Sequence, residues 1–262
     1  MGKSERKIAI NIFVVILLII ALFQVPAVHV NAETLQSSSL YYRNLLGFSV
    51  DQKAVQEWLP APWKSVSISK GPLRGSNILV LFDDWFIRQD AEGKLDKDGA
   101  FCSSAIVAFG KNEQKEEFSS FVTRMLCPYD DPGPYKNAVK AVVNREATIK
   151  GSTSTTGSGS ESWTINDNTG GILEFKMDYQ RGVPNRRESE PKPRSNVVPD
   201  FYRIYRFDQA GDLVLSVPES INRVKNFELK TNIPELRKMF DGSEQLIGIT
   251  VFPTIVRQAF HP

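Results

Sequence analysis

The feature that most constrains the fold of this chain is a long series of short segments rich in Val, Ile and Phe. Val, Ile and Phe favour β-strands. Turns that contain Gly, Asp or Lys separate these segments and mark the ends of the strands. The series predicts about ten strands, at Val66–Ser69, Ile78–Phe86, Phe101–Phe109, Phe118–Leu126, Ala147–Ser152, Glu161–Ile165, Ile172–Tyr179, Tyr202–Phe207, Leu213–Val217, Asn222–Lys230 and Leu246–Val256. Short helices are predicted at Asp51–Leu59 and Pro234–Phe240. We therefore expect a mainly β (α+β) protein, a closed or nearly closed antiparallel barrel with room for a small ligand.

Four other segments have less regular patterns. Residues 33–47 are predicted as an extended arm that precedes the domain, which we place at residues 48–262. The Ser/Thr/Gly-rich stretch 151–160 indicates a flexible hairpin tip. Residues 181–199 are rich in proline and charge, and we expect a long exposed loop there, either an active-site lid or a disordered insertion. Residues 137–143 fit either a helical turn or an irregular apolar segment.

The N terminus has the pattern of a secretory signal peptide. A basic region precedes the apolar run Ile12–Phe23, and the small-residue sequence Val30-Asn31-Ala32 suits cleavage after Ala32. A membrane-spanning helix normally needs about 20 apolar residues, and this run is shorter. We therefore expect residues 1–32 to be removed and the mature chain to be secreted, with a retained signal anchor as the alternative.

Charge and histidine content exclude several classes of function. The formal net charge is +2, with acidic and basic residues interleaved, which gives no reason to expect a nucleic-acid partner. The two histidines are His29 in the leader and His261 next to the C terminus. A folded body without internal histidine excludes Ser-His-Asp and Cys-His catalysis and most zinc hydrolase chemistry. We expect neither a metal nor another cofactor, and the remaining candidates for acid, base and nucleophile are Lys, Asp, Glu and Tyr.

The chain has two cysteines, Cys102 and Cys127. In a secreted protein an even pair favours a disulfide bond. This bond would close a loop of about 25 residues and, in the chain-entropy model, stabilise the fold by roughly 3 kcal/mol. The alternative is two thiols on separate strands. We expect the disulfide, mainly because of the predicted compartment.

Residues 127–140 form the most distinctive local motif, Cys-Pro-Tyr-Asp-Asp-Pro-Gly-Pro-Tyr-Lys-Asn-Ala-Val-Lys. Its prolines and glycine predict a rigid turn, from which Lys136 emerges. A lysine on a stiff turn beside a β-rich core is either a candidate amine nucleophile or a solvated loop lysine. Asp130 and Asp131 are typical of turn formation. Tyr129 and Tyr135 flank the turn and are candidates either for packing or for a hydrogen bond to a carbonyl substrate.

The order of these segments resembles the acetoacetate decarboxylase family from about residue 48 to the C terminus. The resemblance depends on the helix ending Trp58-Leu59-Pro60-Ala61-Pro62, the turn with Lys136, and the segments Glu146-Ala-Thr-Ile-Lys-Gly, Ile172-Leu-Glu-Phe-Lys-Met-Asp-Tyr, Pro199-Asp-Phe-Tyr-Arg-Ile-Tyr-Arg-Phe-Asp and Leu246-Ile-Gly-Ile-Thr-Val-Phe-Pro. It implies a β-cone fold around a small apolar pocket. In that family a lysine forms a Schiff base with a β-keto acid, and the iminium accepts electrons from the breaking carbon–carbon bond as carbon dioxide leaves. The lysine must be neutral to attack, which requires desolvation or a second nearby cation.

The resemblance also assigns candidate roles at the turn. The family has Tyr-Pro followed by two adjacent lysines, of which the first is the nucleophile. In this sequence Tyr135 aligns with the nucleophilic lysine, and Lys136 aligns with the second lysine. A shift of one residue in the alignment makes Lys136 the Schiff-base lysine and Lys140 the candidate modulator of its pKa.

Other family site residues are matched only in part. Ser49 stands where the family has an arginine. Asp83 is the one match to the paired site acids, and alternation with Leu79 and Leu81 would point it into the pocket. The second acid falls at Cys102 and Ser103, where no carboxylate is present.

Two functions therefore remain open. The first is a secreted lyase that acts on a β-keto acid or related carbonyl compound through Lys136, with Asp83 as a pocket acid and Tyr129 and Tyr135 as substrate-binding residues. The second is a non-enzymatic β-barrel that binds a small ligand and has lost the catalytic set. As partner we expect a small carbonyl or keto-acid ligand for the lyase, and a small apolar ligand for the non-enzymatic barrel. We expect no nucleic acid, and no membrane after the leader is cleaved. Assembly into a homo-oligomer is left open.

Overall fold

The computed structural model of this protein describes residues 33–153 and 157–262. The predicted signal peptide, residues 1–32, lies outside the described residues. Within these residues the helices are α1 (Gln52–Gln56) and α2 (Pro234–Arg237). The strands are β1 (Thr34–Ser49), β2 (Lys64–Ser65), β3 (Ile78–Asp90), β4 (Phe101–Asn112), β5 (Glu117–Cys127), β6 (Ala138–Lys150), β7 (Ser158–Asp167), β8 (Ile172–Gln180), β9 (Asn185–Ser189), β10 (Arg194–Ser195), β11 (Ile204–Ser216), β12 (Ile221–Asn222), β13 (Val224–Thr231) and β14 (Gln245–His261).

The strands form one continuous sheet that curls round on itself. Neighbouring strands follow the order β12-β11-β14-β1-β3-β4-β5-β6-β7-β8-β13, with β2 on β4, β9 on β11 and β10 on β5. The two strands at the ends of this path, β12 and β13, are consecutive in the chain and are joined by Arg223. Strand β5 pairs in parallel with β6 and β10, and the other pairings are antiparallel. The predicted mainly β architecture with a few short helices is confirmed.

Residues 33–47 form a central strand and not a separate arm. They make up most of β1, which pairs with β14 on one side and β3 on the other, so that Leu46 lies between Ile249 and Val80. The alternation that drives this pairing is hard to see in the sequence, because serines and asparagine occupy several buried positions of β1. The compact unit therefore begins at Glu33.

Four further segments differ from the predictions. The expected loop at 181–199 contains β9 and β10, which pair with β11 and β5. Residues 137–143 are neither helical nor irregular, since Ala138 begins β6 beside Met125 of β5. The predicted strands 202–207 and 213–217 are one strand, β11, with irregular register near Gly211. The tip at 151–160 is shorter than expected, because Lys150 already pairs with Ser158; residues 154–156 lie outside the described part.

The two faces of the sheet are packed differently. On one face, Leu46 and Phe82 join Trp163 and Phe175 of β7 and β8 in a large hydrophobic core. The opposite face carries two smaller clusters, which include Trp85, Leu81, Val107, Val122 and Phe252. Successive side chains of a strand point to opposite faces, so odd-numbered residues of β1 and β3 reach this second face. The sparser packing there leaves room for a cavity.

The predicted disulfide is not formed: Cys102 and Cys127 are both free. Cys102 packs against the large hydrophobic core, whereas Cys127 lines a cavity on the opposite face together with Ser103 and Trp85. The Cys102 thiol donates to Asp84 Oδ1 at 3.6 Å, and the Cys127 thiol donates to the Tyr129 carbonyl at 3.9 Å. Burial, together with the charge of Asp84, raises the pKa of Cys102 to about 12. The alternative of two thiols on separate strands is correct.

Candidate functional site

A cavity of about 280 Å³ lies on the second face of the sheet, where residues 187–193 cover strands β1, β3 and β4. Most of its wall is apolar, formed by Leu45, Leu79, Leu81, Ala105, Val107, Val122, Met125, Phe207 and Phe252. The polar groups are few: Arg43, Asp83, Ser120, Tyr135, Arg187, Ser189, Tyr205, Gln209 and Arg257. An apolar cavity with a few polar groups is the usual form of a small-molecule site. We call it the apolar cavity.

Arg43 and Asp83 form a buried ion pair in the wall of the apolar cavity. They face each other across β1 and β3, and Arg43 donates from Nε to Oδ1 at 2.6 Å and from Nη2 to Oδ2 at 2.8 Å. Burial lowers the pKa of Arg43, but the charge and hydrogen bonds of Asp83, together with Tyr41 and Tyr205, raise it above its ordinary value. Both Asp83 oxygens are thus engaged with Arg43. The structure places Asp83 in the cavity wall, and its role as an acid stays a prediction.

Arg257 of β14 is a second arginine in the same wall, without a carboxylate partner. Its side chain is 8% exposed, and its guanidinium carbon lies 4.5 Å from the Trp85 ring centroid and 4.9 Å from that of Tyr205. Within the described ranges, no Asp or Glu forms an ion pair with it, and its Nε has no hydrogen-bond partner. Stacking therefore holds an uncompensated positive charge at the cavity wall.

The buried side chain of the Pro-rich turn is Tyr135, which is 2% exposed. Its hydroxyl donates to the Tyr205 hydroxyl at 2.8 Å, and Ser195 of β10 donates to its carbonyl oxygen at 2.6 Å. Burial, with a smaller contribution from Tyr205, raises the pKa of Tyr135 well above its ordinary value. The position that the resemblance matched to the nucleophilic lysine therefore holds a protonated phenol.

Lys136 is exposed, with a backbone φ of 59° in the left-handed region. It lines a second cavity, of about 340 Å³, which shares Trp85, Met125, Tyr135, Tyr205 and Arg257 with the apolar cavity. We call this second space the turn cavity. Lys136 is thus near the apolar cavity, on the outer side of the Tyr135–Tyr205 pair.

The other predicted site residues are scattered. Tyr129 lines the turn cavity, where its ring lies 4.1 Å from the Lys97 ammonium. Lys140 is exposed on β6, lines neither cavity, and lies 3.8 Å from Asp130. Asp131 accepts from the Gly133 backbone nitrogen at 2.8 Å, as a turn residue does. Ser49 pairs with Gln245 at the end of β1, outside both cavities.

Sequence reasoning missed the two arginines and Tyr205. Arg257 lies between Ile255 and Ala259 on the buried face of β14, and an arginine at an inward strand position is a signal that alternation could have revealed. Arg43 has the same signal on β1, six residues before Ser49. Tyr205 had no such signal, because its role depends on contact with Tyr135, seventy residues away.

A further ion cluster lies on the large-core face. Arg145 donates to both oxygens of Glu161 and to Asp84, while Tyr42 and Trp163 also donate to Glu161. These contacts engage both Glu161 oxygens and connect strands β1 and β3 with β6 and β7. Among the described residues, no three His, Cys, Asp or Glu side chains are placed to hold a metal ion. No helix in the same part of the chain is long and apolar enough to cross a membrane.

Comparison with solved structures identifies the fold as acetoacetate decarboxylase-like. The enduracididine biosynthesis enzyme MppR in complex with pyruvate matches at a TM-score of 0.52 and 9% identity, over 87% of this chain and 88% of that chain. An acetoacetate decarboxylase-like enzyme from Sphingomonas wittichii RW1 matches at a TM-score of 0.52 and 6% identity, over 87% and 91%. MppR was also solved with the condensation product of pyruvate and imidazole 4-carboxaldehyde, at a TM-score of 0.53 and 8% identity, over 87% of each chain. No protein-family model and no curated protein matches the sequence.

Proposed function

We propose that this protein binds a small organic acid that carries a carbonyl group, such as a keto acid, in the apolar cavity. The observation that carries the proposal is Arg257, a buried guanidinium without a carboxylate partner in the described part of the chain. An unpaired buried charge is unfavourable, and a bound carboxylate supplies the missing partner through charge-assisted hydrogen bonds. The structure of MppR with pyruvate bound supports this ligand class for the fold.

The tyrosine pair provides a donor for the ligand carbonyl. Tyr135 donates its proton to the Tyr205 oxygen at 2.8 Å, which leaves the Tyr205 proton free to donate elsewhere. Because Tyr205 and Arg257 line the same cavity and are in contact, the acid and carbonyl groups of one small molecule can bind both. The apolar wall then contacts the remaining carbon atoms and excludes water.

Calorimetric titration of the protein with pyruvate and with acetoacetate tests this function. We expect saturable binding that Arg257→Gln weakens at least tenfold, because a hydrogen bond to a charged group contributes about 1.5–3 kcal/mol. Arg124→Gln is the matched control, since Arg124 is also largely buried (18% exposed) but lies outside both cavities. Wild-type affinity in Arg257→Gln, or no binding of either acid, would contradict the proposal.

A Schiff-base lyase is the second candidate, and one observation favours it. Lys136 lines the turn cavity, which shares Tyr135, Tyr205 and Arg257 with the proposed acid site. In this reaction the Lys136 amine attacks the ligand carbonyl, water leaves, and the iminium accepts the electron pair released with carbon dioxide. Lys140 and Asp83 keep the candidate roles given above.

Borohydride trapping with acetoacetate, read by intact mass and peptide mapping, tests the lyase. We expect a reduced adduct on the Lys136 peptide, lost in Lys136→Gln and kept in Lys64→Gln. Lys64 lines neither cavity and forms an exposed ion pair with Glu113. Failure to label any lysine with several keto acids would leave the non-enzymatic binding function.

Secretion is a separate proposal, supported by the N-terminal sequence. A chain cleaved after Ala32 begins at Glu33, which is where the compact domain begins. N-terminal sequencing of protein recovered from the medium tests this. Protein that stays in the membrane fraction and begins at Met1 would favour the signal anchor.

A further inference from the structure

Three arginines converge on the turn cavity. Arg88 of β3, Arg203 and Arg257 all line it. In each of the three, the Nε is buried without a hydrogen-bond partner in the described structure. Burial and then the charge of Arg257 lower the pKa of Arg88, with Arg203 adding to the effect. Three guanidinium groups are thus held close enough to repel one another.

The carboxylates in the wall do not neutralise this charge. Asp96 pairs with Arg88 at 2.8 Å, and Asp131 lies 3.5 Å from Lys97. No other carboxylate among the described residues lines the turn cavity, whereas Lys136 adds a further cation to its wall. The cavity wall therefore carries five cationic side chains and two anionic ones. Without a bound anion, such a cluster considerably lowers the stability of the fold.

We propose that the turn cavity binds a phosphate monoester as its dianion. A carboxylate has two oxygens and one charge, and one bidentate arginine satisfies it. A phosphate monoester offers three terminal oxygens and nearly two charges at neutral pH, which suits three planar guanidinium donors. This site goes beyond the proposed acid site, since it depends on Arg88 and Arg203, which do not line the apolar cavity.

The size of the turn cavity fits such a ligand. A water molecule takes about 30 Å³ of liquid volume, so 340 Å³ holds a phosphate together with an organic group. Lys97, Asp131 and Lys136 are exposed and mark the side open to solvent. On the inner side, Tyr135 and Tyr205 separate the phosphate from the apolar cavity.

Titration with inorganic phosphate at constant ionic strength and a pH of about 8 tests the proposal by calorimetry. We expect saturable binding that Arg203→Gln and Arg88→Gln each weaken about tenfold or more, and that Arg124→Gln leaves unchanged. Thermal unfolding of each variant without phosphate checks that it is folded. The proposal would be overturned if phosphate binding did not saturate, or if phosphate bound to Arg203→Gln as tightly as to the wild type. Acetate that binds as tightly as phosphate would do so too, because the site would then be one for a single charge.

The two binding proposals fail separately. The wild-type protein is titrated with pyruvate and with phosphate in parallel. Binding of pyruvate without phosphate refutes only the phosphate site, whereas binding of phosphate without pyruvate or acetoacetate refutes only the acid site.

Discussion

Arg43 and Arg257 lie in the same cavity wall but differ in what they can do, because within the described residues only Arg43 has a carboxylate partner. Arg43 gives two hydrogen bonds to Asp83 and is electrically satisfied. Arg257 contacts aromatic rings, which position its charge without neutralising it. The inward position of Asp83 could be predicted from strand alternation. Its pairing with Arg43 could not, because the register of β1 on β3 is a property of the folded sheet.

Removing the charge of Asp83 should destabilise the protein. Asp83→Asn leaves Arg43 buried and without its counterion, and breaking a buried ion pair in this way costs about 3–5 kcal/mol. We expect a clearly lower midpoint of urea denaturation. Glu113→Gln is the control, because it breaks the Lys64–Glu113 pair, which is more than half exposed, and should leave the midpoint nearly unchanged. Equal midpoints for Asp83→Asn and wild type would show that the pair contributes no stability.

At the scale of elements, strands with a recurring apolar pattern were predicted correctly. Strands that form only because they pair with a neighbouring strand were missed. Strands β3, β4, β5 and β8 were predicted close to their observed positions, because apolar residues recur in each. The polar segment β9 has no such pattern, and all five of its residues are exposed. It becomes a strand because the backbone of β11 offers it hydrogen bonds from Phe207 to Gly211.

This segment covers the apolar cavity and should report on ligand binding. The cavity is also lined by Arg187, Ser189, Pro191 and Pro193, so an acid bound there contacts these residues and stabilises their observed position. We expect saturating pyruvate to slow amide hydrogen exchange in residues 185–195, measured by mass spectrometry. Exchange in β8, on the large-core side, should not change. Equal protection of both regions would indicate global stabilisation only, and no protection of 185–195 would indicate binding elsewhere.

At the scale of the whole molecule, the site combines segments that lie far apart in the chain. The apolar cavity takes residues from β1, β3, β4, β5, β9, β11, β14 and the turn at 127–140. The sequence resemblance predicted the fold and placed the turn beside a pocket. It could not predict which side chain of the turn is buried, and the structure places Tyr135 inside and Lys136 outside. That difference depends on the left-handed backbone at Lys136 and on the hydrogen bond from Ser195.

The buried tyrosines should make the protein sensitive to alkali. Burial raises the pKa of Tyr41 and of Tyr179 to about 12, from an ordinary value of 10. Between these values the unfolded chain releases the phenol protons and the folded chain keeps them, so the free energy of unfolding falls as the pH rises. At about 1.4 kcal/mol per pKa unit, Tyr41 alone removes roughly 3 kcal/mol by the top of this range. Urea denaturation across it should show the loss, and Tyr41→Phe should show a smaller one. An identical pH dependence in Tyr41→Phe would contradict this assignment.

The pairing of β1 with β14 has a consequence for synthesis. Thr34, next to the start of the described domain, pairs with His261, the penultimate residue of the chain. In a nascent chain on the ribosome, β3, β4 and β5 can thus pair early. One edge of β1 stays unpaired until β14 has been translated. An open strand edge is a template for pairing with other chains, and pairings so distant in sequence form slowly. Arg257 belongs to β14, so the wall of the apolar cavity is complete only after β14 has paired with β1.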